Sequence, residues 1–104
     1  MWVREEFWLA WRDWQGFRGA VLAADCPWPV EARFLVRCVE DKPEVRQWKG
    51  PYPLIDIASV RLAAGLDPLG TEQPLPTELP THDPAADARQ WARLLIEALD
   101  RVPP

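Results

Sequence analysis

Six residues, "AVLAAD" at positions 20–25, constrain this chain more than any others. The run is too short for a helix of its own and apolar on successive positions, as expected of a central strand in a parallel sheet. It follows a helical pattern over residues 4–15, where Phe7, Trp8, Trp11 and Trp14 recur at helical spacing. The two glycines of "QGFRG" separate helix from strand. A strand lying between helical patterns predicts an α/β chain.

The remaining segments extend that order. "CPWP" places Pro29 in the first turn of a helix over about residues 29–40, which ends near "EDKPE". "PLID" reads as a brief strand, residues 57–64 as a helix, and Gly65 as its C-terminal cap. Residues 66–82, rich in proline and glycine, form a long loop, and loops of that length usually carry function or disorder. The last helix runs from Pro84 to about Arg101, with Asp83 as N-cap and an apolar stripe of Trp91, Leu94, Leu95, Ala98, Leu99 and Val102. The 104 residues suit a single small domain, mostly helical, with one or two short parallel strands.

Composition sets further bounds. No run of about 18 apolar residues occurs, so no membrane span is expected. The start "MWVREEFWLAW" lacks the apolar core of a signal peptide, and a cytoplasmic location is expected. Cys26 and Cys38 match neither a zinc pattern nor a C-x-x-C pair and read as reduced, mostly buried thiols. A net charge of −4 does not support global attraction to nucleic acid, although cations and local arginines can offset charge at a site.

Two carboxylates stand out by helical phase. At about 100° per residue, Asp87 falls among Trp91, Leu94, Leu95 and Ala98, on the side away from Arg89, Arg93, Glu97 and Asp100. Glu31 falls likewise on the face of Val30, Phe34, Leu35, Cys38 and Val39, with Arg33, Arg37 and Glu40 opposite. A carboxylate on an apolar face needs an arginine, helix amides, a hydroxyl or a metal ion to compensate it. His82, the only histidine, lies five residues before Asp87.

"HDPAADARQWARLL" resembles the third motif of the DEDDh 3′-to-5′ exonucleases, the family of ribonuclease T and the proofreading subunit of bacterial DNA polymerase III. There a histidine is followed after four residues by an aspartate that opens the last helix, then by Ala-Arg, which His82, Asp87, Ala88 and Arg89 match. "VLAADCPWPVEARFL" resembles the second motif, with Glu31 three positions before Phe34-Leu35 and Asp25 at the strand end. "YPLIDIASVRLAAGLDP" resembles the intervening segment, in which Asp56 is either part of that likeness or an N-cap.

The resemblance implies a ribonuclease H-like fold lacking its N-terminal three-strand meander, and a partial domain spanning residues 1–104. It implies His82 as general base, and Asp87 with Glu31 or Asp25, Glu31 preferred, as ligands of Mg2+ or Mn2+. In the family, two ions activate water and stabilise the leaving oxygen while the histidine takes a proton, and the substrate is a nucleic acid 3′ end. The first motif, Asp-x-Glu, occurs nowhere in these residues, so the chain is read either as the C-terminal portion of a longer exonuclease or as a degenerate relative, and alone it is expected to be inactive. The alternative is a non-catalytic interaction module that docks a partner or self-associates through the Trp-rich first helix. Trp2, Trp28 and Trp48 have no helical partners; they either cover surface that the meander would otherwise occupy, the preferred reading, or stack on bases.

Overall fold

The structure, a computed structural model, describes residues 2–70 and 73–103. The chain is α/β and mostly helical, with two short parallel strands. It divides into two compact units, Met1–Ile55 and Asp56–Pro104.

In the first unit, α1 (Trp2–Arg18) has Glu5 in its first turn and Arg18 in its last, the signs that the helix dipole favours. It stops where Gly19 takes φ 60 and its amide bonds back to the Gln15 carbonyl. Trp8 and Trp11 are buried against Cys38, and Phe7 meets Phe34 edge-on with ring centres 5.4 Å apart. Each buried indole contributes on the order of 5 kcal/mol of apolar transfer before ordering entropy is subtracted. The Trp11 indole N–H donates to the Lys49 carbonyl at 2.9 Å, which leaves no orphaned donor.

The strand β1 (Leu22–Ala24) follows, then α2 (Val30–Asp41), a short α3 (Pro43–Arg46) and β2 (Leu54–Asp56), so β1 and β2 pair across a helical connection. Pro29 sits just before α2 rather than in its first turn, and α3 interrupts what reads as loop in the sequence. Arg46, on α3, is buried. It donates to the Cys38 carbonyl at 2.8 Å, pairs with Glu5 and lies over the Trp8 ring at 4.8 Å. These contacts fasten α3 to α1 and α2.

In the second unit, Asp56 caps α4 (Ile57–Ala63), accepting from the amides of Ala58 and Ser59 and from the Ser59 hydroxyl. Gly65, at φ 79, ends that helix, and the Leu66 amide donates to the Arg61 carbonyl at 2.9 Å. Asp83 caps α5 (Pro84–Leu99) through the Ala86 amide, and Pro84 is its first residue, as the sequence predicts. Helix α5 packs on α4 with Ala86, Leu94 and Ala98 buried.

The proline-rich loop is tied down by side chains rather than by an apolar core. A 3-10 turn, Pro76–Glu78, buries Glu78, whose carboxylate takes two bonds from Arg93, at 2.7 and 2.9 Å, and one from the Leu75 amide. Arg89 donates to the Thr77 carbonyl. At Gly70, φ is 62 and a Cβ would come within 2.9 Å of the Trp91 ring, so both backbone and space require glycine there.

Candidate functional site

Asp25 directly follows β1 and is exposed. Glu31, in the first turn of α2, lies at an apolar groove of about 370 Å³ lined by Phe7, by all three residues of β1, and by Val30, Phe34, Leu35 and Leu54. A second apolar cavity of about 320 Å³ shares Leu35 and Leu54 with it. The helical phase of Glu31 is therefore as the sequence implies, but its consequence is not. Cys38, further along that face, is buried, but Glu31 and its neighbour Val30 at the head of the helix are exposed, so the carboxylate stays hydrated and needs no counter-charge.

His82 and Asp87 lie in the other unit, at the start of α5. His82 is exposed and held at φ 67, a left-handed conformation that histidine adopts more readily than most residues. It is two residues outside the helix, and its imidazole makes no hydrogen bond to the described residues. Asp87 is half-buried and its carboxylate likewise accepts none, whereas its neighbour Asp83 is used as the cap. The four sequence candidates thus fall as two pairs, Asp25 with Glu31 and His82 with Asp87, one in each unit.

A metal ion needs several converging donors. Among the described residues, no group of three or more His, Cys, Asp or Glu side chains is gathered so as to hold one. The donors in either unit by itself, among the described residues, do not make up a two-ion cage. Comparison with family models, curated proteins and solved structures finds no match.

Other groups carry the strong electrostatics. Arg46 holds the Glu5 carboxyl below its usual range, Arg4 does the same for Asp41, and Arg93 does so for Glu78 with help from the Leu75 amide. Burial pushes the Cys38 thiol up, while Cys26 is exposed rather than buried. Both cysteines are free. The pairs Glu5–Arg46 and Glu78–Arg93 join residues 41 and 15 positions apart, and no local pattern announces them.

The apolar surface is the second prominent feature. Trp2, Trp28 and Trp48 are 73%, 78% and 84% exposed, so they cover little of the surface assigned to them. Helix α1 buries Trp8 and Trp11 but presents Trp2, Val3, Leu9, Trp14 and Phe17 to solvent. At about 100° per residue these five span an arc of roughly 140°, separate from the buried face. Glu6 and Asp13 fall within that arc. Among the described residues no helix is long and apolar enough to cross a membrane.

Proposed function

We propose that this chain is part of a ribonuclease H-like, DEDDh-type 3′-to-5′ exonuclease domain and that, as these 104 residues, it docks a partner rather than cuts nucleic acid. The exposed arc of α1 carries the docking half of this reading. Five large apolar side chains on one helix exceed the scattered exposure normal for a monomer and mark an interaction surface. A second copy is the partner taken first, because the arc is a continuous helix face able to pack on itself. Sedimentation velocity is expected to give a mass that rises with concentration. Replacing both Trp14 and Phe17 with Glu should weaken association at least tenfold. A single monomeric species at every concentration would remove the proposal.

The exonuclease half is supported by Asp25 and Glu31. Asp25 directly follows the carboxyl end of β1 in a parallel pair, the end at which open α/β sheets bind ligands, and Glu31 lies in the first turn of the helix that comes next. The spacing of His82 and Asp87 at the head of α5 supports it independently. With magnesium or manganese, release of mononucleotide from a 3′-labelled oligonucleotide is expected to stay at the buffer level. Manganese titration is expected to show no saturable site. Release that disappears in His82→Gly would restore a cutting role to these residues, and manganese binding that disappears in Asp87→Ala would mark a retained metal site. Glycine is the suitable replacement at position 82 because it keeps the left-handed backbone while removing the imidazole.

A further inference from the structure

We propose that a cleft walled by Arg4, Arg33 and Arg37 is a docking site for an acidic, amphipathic segment of a partner protein. The cleft measures about 240 Å³ and is completed by Val30 and Phe34. It lies in the first unit and brings one arginine of α1 to two of α2.

The three arginines are not equivalent. Arg4 is forked onto Asp41, Nε to Oδ2 at 2.7 Å and Nη2 to Oδ1 at 2.9 Å, so it is a fixed wall whose charge is already balanced. Arg33 and Arg37 are exposed, one helical turn apart, and meet no carboxylate among the described residues. Like charges at that spacing repel, and the Asp41 carboxylate one turn beyond Arg37 is already taken by Arg4. An incoming pair of carboxylates one turn apart would satisfy both forks. Val30, 71% exposed, and the half-buried Phe34 then offer an apolar contact beside the two charges.

Volume and charge choose the occupant. The cleft is below the range of pockets that enclose a drug-sized molecule, and it suits one large apolar side chain. Nucleic acid fits less well, for two reasons. Residues 1–55 carry eight basic and eight acidic side chains, so this unit has no net positive charge to draw in a polyanion at long range. The only ring in the lining, Phe34, is engaged edge-on by Phe7, so it does not present the free stacking platform that single strands use. A short acidic peptide needs neither long-range attraction nor a stacking face. Arg4 lies on the opposite side of α1 from the exposed apolar arc, so this site is independent of self-association.

Fluorescence anisotropy of the whole chain tests the proposal. The probe is a labelled helical peptide of about a dozen residues, with glutamates one turn apart flanking a leucine. It is expected to bind saturably. Binding should weaken at least tenfold when its glutamates become glutamines, and at least tenfold in the double variant Arg33→Glu, Arg37→Glu. The variant Arg18→Glu, Lys49→Glu makes the same change in net charge elsewhere in the unit and should bind as the parent does. Far-UV circular dichroism checks each fold, and Arg33→Gln with Arg37→Gln serves if charge reversal disturbs α2. The proposal falls if the peptide fails to bind, or if both charge-reversal variants lose binding equally. It also falls if a single-stranded oligonucleotide of similar charge binds more tightly through Arg33 and Arg37.

Discussion

Glu78 shows how one side chain can do the work of a small core. It is 3% exposed, closes the 3-10 turn through the Leu75 amide and reaches α5 through Arg93. Removing either partner would strand the other in a poorly hydrated place. Arg93 first, and then the Leu75 amide, hold the Glu78 carboxyl below its usual range. A carboxyl depressed in the folded state contributes stability that is full above the unfolded value, about 4.3. That contribution is lost as pH falls from there through the depressed folded value. Glu78→Gln should therefore be less stable than the parent at neutral pH, with the difference shrinking as acid is added. Amide exchange of α5 at a series of pH values reads this directly. Curves that stay parallel down to strong acid would show that the ion pair contributes nothing. Glu5 and Asp41 carry depressed values in the other unit, so a whole-chain acid transition would mix the three.

At the scale of elements, the parts of the fold written in local pattern are the parts the sequence reveals. Both strands, the four longer helices, the Asp83 cap and the Gly65 terminator follow from periodicity and turn chemistry. Helix α3 and the 3-10 turn do not, because each is one turn long and is held by a distant partner, Glu5 for Arg46 and Arg93 for Glu78. The candidate site is legible only as spacing. His82 and Asp87 stand at the predicted positions relative to α5, and Glu31 has the predicted phase on α2. Helical phase says which residues share a face, but not whether anything lies against it. Helix α2 makes the point. Its apolar residues form a broad face, with Arg33, Arg37 and Glu40 opposite, a pattern that belongs to a helix lying against a core. Yet Val30 and Val36 are more than half exposed, and apolar cavities lie along it. The arginine wedge of Arg33 and Arg37 is visible in the sequence as the polar remainder of that helix. Its juxtaposition with Arg4 depends on how α1 packs, which the sequence does not display.

At the scale of the whole chain, charge is unevenly shared. Residues 1–55 hold eight basic and eight acidic side chains, and residues 56–104 hold four basic and eight acidic. The net charge of −4 therefore belongs to the second segment, and the first is a neutral background on which local patterns decide. Two such patterns have opposite signs of salt response. The exposed arc of α1 includes Glu6 and Asp13 among its apolar residues, so two copies meeting there bring like charges together. Arg33 and Arg37 instead attract an acidic segment. Screening shortens the reach of both effects, from about 10 Å at 0.1 M salt to about 3 Å at 1 M. Self-association should thus tighten as salt rises, driven by apolar area and relieved of repulsion. Binding of the acidic peptide should weaken several-fold over the same range. Measuring both equilibria on one preparation, from about 0.05 to 0.5 M sodium chloride, separates the surfaces without any mutation. If the two constants move in the same direction, a single surface serves both roles and the assignment of distinct apolar and arginine-walled sites fails.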